Sequence, residues 1–148
     1  MLATVQRVLS AEIIVENKIF TSIESGCLVF VCIEQNDNLK EAKEMANVIT
    51  NFKMLDGSKG ITSISFKDSD EEVLIVSQFT LAAVTNQGSK PSFHRAAKHE
   101  DAKLMYDKFV NEFKKIFPNV KEGKFGSYME IALAVSYTHL RAHETSVN

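Results

Sequence analysis

The stretch VLIVSQFTL, residues 73–81, carries the side chains of this sequence that are best suited to chemistry. Its four aliphatic residues predict a buried strand, and Ser77, Gln78 and Thr80 then add two hydroxyl groups and an amide. In a continuing strand Gln78 and Thr80 share one face and Ser77 and Phe79 the other, which places hydrogen-bonding groups at the mouth of an apolar layer. Such groups can orient a polar substrate, and the Thr80 hydroxyl is a candidate nucleophile. The alternative is a strand end that emerges into water.

A basic segment follows this stretch. Residues 85–99 contain no acidic side chain, and Lys90, Arg95 and Lys98 give the segment three positive charges. A glycine and a proline within it indicate a loop. A basic loop after a strand with hydroxyl and amide side chains favours a phosphate-bearing substrate, and the alternative is a solvated charged loop.

Hydrophobic periodicity predicts the elements that position these residues. Strands are predicted at residues 2–8, 11–16, 20–23, 27–33, 61–66, from 73 onward and at 125–135, and helices from the N-cap Asp37 to Phe52 and over residues 101–117. The run at 27–33 is apolar throughout and predicts a central strand covered on both faces. The pattern favours an α+β fold, with a mixed or mostly antiparallel sheet and two amphipathic helices packed against it.

Composition sets the class of protein. The chain has 148 residues, 45% of them hydrophobic and 24% charged, which is typical of one soluble domain with a real core. No apolar stretch reaches the roughly 20 residues of a membrane span, so we expect a cytoplasmic protein. Cys27 and Cys32 lie five apart in one predicted strand and are expected to be buried free thiols. The net charge of −2 gives no global sign of a nucleic-acid binder, so a polyanion would need a local basic patch.

Four short motifs resemble those of the D-aminoacyl-tRNA deacylases in order and spacing. They are Gln6-Arg7-Val8, Ser77-Gln78-Phe79-Thr80-Leu81, Lys90-Pro91-Ser92-Phe93, and Gly123-Lys124-Phe125-Gly126 followed by Met129. The resemblance covers residues 1–134. It implies a homodimeric editing enzyme of the cytoplasm, with a β-barrel-like sheet, that hydrolyses the ester joining a D-amino acid or glycine to the terminal ribose of tRNA.

The resemblance also implies roles for individual residues. Backbone N–H groups around Ser77, Gln78, Phe79 and Thr80 would stabilise the reacting ester, and the 2′-hydroxyl of the tRNA's own terminal ribose would assist the reaction. Phe125 and Met129 would line the pocket, and Pro91, Phe93 and Lys90 would contribute to substrate binding. No cofactor or metal is implied.

Two other functions stay open at this point. Thr80 as a protein nucleophile needs an adjacent base, and no His, Asp or Glu lies near it in the sequence. The chain could then be a Thr80 ester hydrolase if a base is brought in by the fold. The third possibility is a tRNA-binding module without turnover.

Residues 135–148 depart from the family. The family continues its last strand into an Asn-x-Gly-Pro-Val-Thr motif that enters the partner subunit's pocket, whereas these residues contain neither Gly nor Pro. We expect a foreign, atypical tail and a chain that is unstable without the motif. Arg7, which would brace the motif by resemblance, is then expected to lack its partner. His139 and His143 lie four apart, but an isolated pair is weak evidence for zinc, and no metal is assigned.

Overall fold

The apolar runs predicted as strands form the centre of a layered α+β structure. The structure is a computed structural model and describes residues 1–136. The strands are β1 (Leu2–Val8), β2 (Ser10–Val15), β3 (Lys18–Ile23), β4 (Gly26–Cys32), β5 (Lys53–Gly57), β6 (Gly60–Ser65), β7 (Glu72–Ser77), β8 (Val120–Glu122) and β9 (Glu130–Ala134). The helices are α1 (Leu39–Asn51), α2 (His99–Ile116) and two short 3-10 helices, Phe66–Asp68 and Phe79–Ala82.

The strands form three sheets. A four-stranded sheet has the order β1-β4-β7-β8, a three-stranded sheet the order β3-β2-β9, and β5 and β6 form a hairpin. The pairs β4–β7 and β7–β8 are parallel, and the other pairs are antiparallel. Strand β7 lies between β4 and β8, and a 3-10 helix begins two residues after its end.

Two cores lie on opposite faces of the four-stranded sheet. On one face, residues of β4 and β7 pack against α1 and α2: Cys27, Val29, Val31, Val73 and Ile75. On the other face, the alternate residues Leu28, Leu74 and Val76 pack against the three-stranded sheet. Because both faces are covered, β4 and β7 have continuous apolar sequences, as predicted for a central strand.

The α+β prediction is confirmed, but its barrel-like part is not. Residues 1–136 form separate sheets and no closed barrel. Strands β1 and β8 are the two edges of the four-stranded sheet, and closure would require those edges to be paired.

Both helices begin at residues other than those predicted. The N-cap of α1 is Asn38, whose side chain accepts from Lys40 N–H while Glu41 reciprocates in a capping box. Asp37, the predicted cap, accepts instead from Glu34 N–H and from the Met1 ammonium group. Helix α2 begins at His99, two residues before the predicted start. This earlier start brings an imidazole to the edge of the sheet.

The C-terminal strand prediction is wrong in its first half. Residues 125–129 form a turn, and β9 begins only at Glu130. The three-residue strand β8 was not predicted, because so short a parallel strand has no periodicity to detect.

Several whole-chain predictions also have outcomes. Cys27 and Cys32 are buried free thiols, as predicted. No helix within residues 1–136 is long and apolar enough to cross a membrane. His139, His143 and most of the predicted foreign tail lie outside the described residues. Within the described part, no three His, Cys, Asp or Glu side chains are grouped so that they could hold a metal ion.

Candidate active site

Strand β7 ends at Ser77, which changes the interpretation of the polar residues after it. Gln78 N–H donates to Val31 O over 2.8 Å, and the chain then turns into the 3-10 helix at Phe79. The expectation that Gln78 and Thr80 share one face of a continuing strand is therefore wrong. The Cys32 thiol donates a hydrogen bond to Phe79 O over 3.6 Å and so contacts the backbone of this turn.

A cleft of about 640 Å³ opens at this turn. Six of the residues singled out in the sequence line it, namely Ser77, Gln78, Phe79, Phe93, Phe125 and Met129. They come from the end of β7, from the basic loop and from the turn before β9. The fold thus brings three of the four sequence motifs to one place.

The far wall of the cleft is the turn at residues 125–129. The Phe125 ring lies 5.3 Å from the His99 ring and 5.4 Å from the Tyr106 ring, centroid to centroid. Gly126 has φ +75°, and a Cβ there would lie 3.0 Å from His99 Cε1. The left-handed backbone and the close imidazole both favour glycine at this position.

This wall is tied to β7 through one carbonyl group. Ile75 O accepts from Gly123 N–H over 2.9 Å and from the Tyr106 hydroxyl over 3.3 Å. Tyr106 is buried, and burial together with the Glu122 carboxylate raises the pKa of its phenol, which stays protonated as a donor. A Cβ at Gly123 would lie 3.0 Å from Met129 Sδ, so the Met129 side chain packs closely on Gly123.

The remaining predicted site residues lie elsewhere. Thr80 is exposed on the 3-10 helix and does not line the cleft. Lys90 lines a neighbouring cavity of about 350 Å³, and Pro91 is exposed and lines neither cavity.

Arg7 lies in a separate groove of about 600 Å³ with Val135 and Ser136. Its Nη1 is 3.2 Å from Asp56 Oδ1, so the expectation that Arg7 lacks a partner is wrong. Asp56 lies in the β5–β6 hairpin, and no pattern in the sequence predicts that this hairpin contacts β1. The ion pair is partly exposed, and its contribution to stability is therefore small.

Sequence reasoning missed several side chains of the cleft, among them His99, Ser127 and Tyr128. His99 opens α2 and meets Phe125 through the fold alone, so no local signal could have identified it. Tyr128 is 85% exposed, which places its ring at the rim. Of the cleft's lining residues, His99 is the one whose side-chain type most often serves as a general base.

The chemistry of the cleft is defined by uncharged groups. The lining combines hydroxyl and amide side chains with aromatic rings and a thioether, and it contains no Asp, Glu, Lys, Arg or Cys. A larger cavity of about 890 Å³ has six acidic residues in its lining and contains none of the candidate residues; the six are Glu24, Asp56, Asp68, Asp70, Glu71 and Glu72. Volume alone therefore does not identify the site; the convergence of the motifs does.

The fold and the cleft define a class: an α+β protein whose cleft is lined by polar side chains and aromatic rings. Comparison with known proteins gives the family. The family model described as D-Tyr-tRNA(Tyr) deacylase matches residues 4–136. The chain belongs to the D-aminoacyl-tRNA deacylase family, as its motifs predicted.

Individual relatives agree with this assignment. A D-aminoacyl-tRNA deacylase of Francisella tularensis subsp. novicida is 35% identical over 133 residues, covering 90% of this chain and 92% of that protein. One from Thermosipho melanesiensis is 39% identical over 134 residues, with 90% and 89% covered.

Two solved structures share the fold. One described as the c-Myc DNA Unwinding Element Binding Protein has a TM-score of 0.85 and 34% identity, covering 90% of this chain and 91% of that one. A probable eukaryotic D-amino acid tRNA deacylase has a TM-score of 0.74 and 14% identity, with 90% and 93% covered. The latter likeness is one of fold alone.

Proposed function

We propose that this chain is an aminoacyl-tRNA editing hydrolase, which cleaves the ester between a D-amino acid, or glycine, and the terminal ribose of tRNA. The observation that carries the proposal is the cleft at the end of β7, where three family motifs converge. The amino acid would lie against Phe125 and Met129, and Gln78 would orient the polar part of the substrate. The names of the relatives supply the substrate class.

The cleft favours a reaction assisted by the tRNA itself. Water adds to the ester carbonyl, the bond to the ribose oxygen breaks, and that oxygen regains a proton as the amino acid leaves as its acid. The first amide of a 3-10 helix, here that of Phe79, has no acceptor within the helix, and since Phe79 lines the cleft this amide is suited to stabilise the oxyanion. The neighbouring 2′-hydroxyl of the ribose would assist the proton transfer.

The Thr80 nucleophile has less support. An activated hydroxyl needs a base within hydrogen-bond reach, and no hydrogen bond joins the Thr80 side chain to another residue of the described part of the chain. The side chain is also outside the cleft's lining. Thr80 would then be a neighbour of the cleft and not its nucleophile.

The binding module without turnover keeps one observation in its favour. The solved structure at 34% identity is described as a protein that binds a DNA unwinding element. One measurement distinguishes this alternative from the editing hydrolase: a binding module would not release the amino acid.

We infer that two copies assemble and that the enzyme works in the cytoplasm. Large apolar side chains stand exposed on the three-stranded sheet: Ile19 at 63%, Phe20 at 49% and Leu133 at 44%. Such a surface is typical of a protein–protein interface. The two free thiols, Cys27 and Cys32, suit a reducing compartment. Light scattering tests the dimer, for which a monomer at micromolar concentration is the contrary result.

The test of function is release of tyrosine from D-tyrosyl-tRNA and L-tyrosyl-tRNA, measured against spontaneous hydrolysis. We expect the D form to be cleaved faster. Gln78→Ala and Phe125→Ala should each slow cleavage by about tenfold, the equivalent of about 1.4 kcal/mol. Asn111→Ala, an exposed position of α2 outside both this cleft and the cavity that contains Lys90, is the control and should leave the rate unchanged. Binding of tRNA with no release of tyrosine would favour the binding module.

A further inference from the structure

Residues 84–97 form an ordered loop. Val84 and Ser92 exchange two backbone hydrogen bonds of 2.7 and 3.0 Å. Gln35 N–H donates to Arg95 O over 2.9 Å, and Ala97 N–H donates to Ile33 O over 2.9 Å. Backbone hydrogen bonds therefore join the two arms of the loop to each other and join the loop to the residues that follow β4.

The loop has two different faces. Phe93 lines the cleft, where its ring meets that of Phe79. Its sequence neighbours Ser92 and His94 instead line the second cavity, of about 350 Å³. The loop is thus a common wall between the cleft and this second cavity.

The second cavity is basic. Lys90, His94 and Arg95 line it, and no acidic side chain does. Six other Lys and Arg residues form ion pairs within residues 1–136, whereas Lys90 and Arg95 form none there. Two cations without acidic partners on one ordered loop are suited to an anion that comes from outside the chain.

Hydrogen-bonding groups accompany these charges. Ser92 Oγ lies 2.9 Å from His94 Nδ1, which fixes the two side chains relative to each other, the direction of the bond depending on the imidazole tautomer. Hydroxyl, imidazole, guanidinium and ammonium groups together match the oxygens of a phosphodiester.

We propose that this second cavity holds the phosphodiester groups immediately 5′ of the terminal nucleotide of tRNA, while that nucleotide and its amino acid occupy the cleft. The inference rests on the proposed function, because it takes the cleft as the place of the ester. The common wall formed by the loop supports this arrangement: a single-stranded 3′ end leaving the cleft past Phe93 meets Lys90 and Arg95. Phosphate contacts position the strand and do not read the amino acid.

A series of substrates of increasing length tests the proposal with the full chain. The substrates are D-tyrosyl esters of adenosine, of CpA and of CpCpA, which carry no, one and two phosphodiesters. We expect the kcat/KM of the unaltered chain to rise along the series. The double variant Lys90→Ala with Arg95→Ala should lose about tenfold on the CpCpA ester and less than about twofold on the adenosine ester.

Salt dependence provides the second readout. The log–log slope of CpCpA binding against salt should flatten by about 0.7 for each lost contact to a single strand. The double variant Lys43→Ala with Lys59→Ala removes the same charge from two exposed lysines outside the second cavity. This control should keep the slope and the length series of the unaltered chain, and thermal melting should be the same for all three proteins.

Two results would overturn the proposal: equal losses on the adenosine and CpCpA esters, or a slope that the loop variant leaves unchanged. Failure of the proposed function looks different, because the chain would then hydrolyse none of the esters. Binding of a fluorescent CpCpA oligonucleotide needs no turnover, so it still decides whether Lys90 and Arg95 hold phosphates.

Discussion

The rings of Phe79 and Phe93 meet edge to face, with their centroids 5.2 Å apart and their planes at 76°. Through this contact the turn after β7 touches the basic loop, although the two residues belong to different motifs. Phe79 is 57% exposed, so the two rings form an aromatic contact at the surface and belong to neither core. Both rings line the cleft, so their contact forms part of its wall.

A double-mutant cycle should detect the contact between the Phe79 and Phe93 rings. Phe79→Leu, Phe93→Leu and the double variant remove one or both rings while retaining apolar side chains. We expect a coupling free energy of about 0.5–1.5 kcal/mol from urea unfolding. The buried pair of Phe109 and Phe113, 5.9 Å apart, is a reference cycle. Strictly additive effects at Phe79 and Phe93 would mean that the contact contributes nothing.

The role of Thr80 can be separated from that of the ribose. We expect Thr80→Ala to retain deacylation within about tenfold, since its hydroxyl has no base to activate it. A tRNA ending in 2′-deoxyadenosine should resist cleavage by the unaltered chain. Single-turnover rates on both substrates decide the matter, and Thr80→Ser is the conservative control. A loss of several orders of magnitude in Thr80→Ala, with normal cleavage of the deoxy substrate, would establish the protein nucleophile.

His99 allows a second test of the same mechanism. If the tRNA assists its own hydrolysis, His99→Gln should change the single-turnover rate less than about tenfold, whereas loss of a general base costs about 10²–10⁴-fold. Its contact with Phe125 predicts a weaker binding of substrate instead, seen as a higher KM. Asn111→Ala, an exposed position of α2 outside the cleft and the second cavity, serves as the control. A collapse of the rate specific to His99→Gln would assign the base to the protein.

Cys27 makes stability depend on alkaline pH. Burial raises the pKa of its thiol to about 12, with Arg7 opposing and Glu71 adding to the shift. An unfolded thiol has a pKa of about 8.5–9, so this contribution is complete below that pH and is lost as the pH rises towards 12. The free energy of unfolding should fall by up to about 1.4 kcal/mol per pH unit in this window because of this one thiol.

Cys27→Ala isolates that contribution. Urea unfolding at pH 8, 9 and 10 should give a shallower decline in the variant than in the unaltered chain. Parallel declines in the two proteins would show that the thiol ionises as easily when folded as when unfolded.

The C-terminal residues should govern selectivity. Replacing residues 135–148 with a family-like ending that contains Asn-x-Gly-Pro-Val-Thr should raise the preference for D-tyrosyl-tRNA over the L form, because a partner's inserted loop would clash with L substrates. An ending with Ala-Ala in place of Gly-Pro is the control. D-versus-L rates and thermal melting measure the effect. If the unaltered chain is already stable and fully D-selective, the expectation that residues 135–148 impair selectivity is wrong.

Sequence reasoning identified most elements whose signal is local. The alternating and continuous apolar runs located β1, β2, β4 and β7, and the two helical stripes located α1 and α2. The apolar residues at the two ends of the predicted helix do not all pack on the core, because Leu39 and Phe52 are exposed. A helix end buries less than its middle, and the periodic pattern does not show where burial stops.

The site was predictable as a set of motifs but not as a geometry. The polar residues Ser77 and Gln78 were identified because the sequence changes character there, but they were predicted in a continuing strand and the turn after Ser77 was missed. The turn at Phe125 was predicted as a strand, since a glycine with positive φ has no signature that distinguishes it from one in a strand. The imidazole of His99 and the ion pair of Arg7 with Asp56 come from tertiary contacts, which single-sequence patterns do not contain.

The parallel pairing of β4 with β7 also has a kinetic consequence. It joins segments separated by α1 and the β5–β6 hairpin, so a long loop must close before Val29 and Ile75 become neighbours. Such non-local pairing makes folding slow compared with helical proteins of the same size. Since the cleft stands on the end of β7, catalytic competence cannot precede that pairing. Newly made chains would therefore become active late, in the same step that buries the central strands.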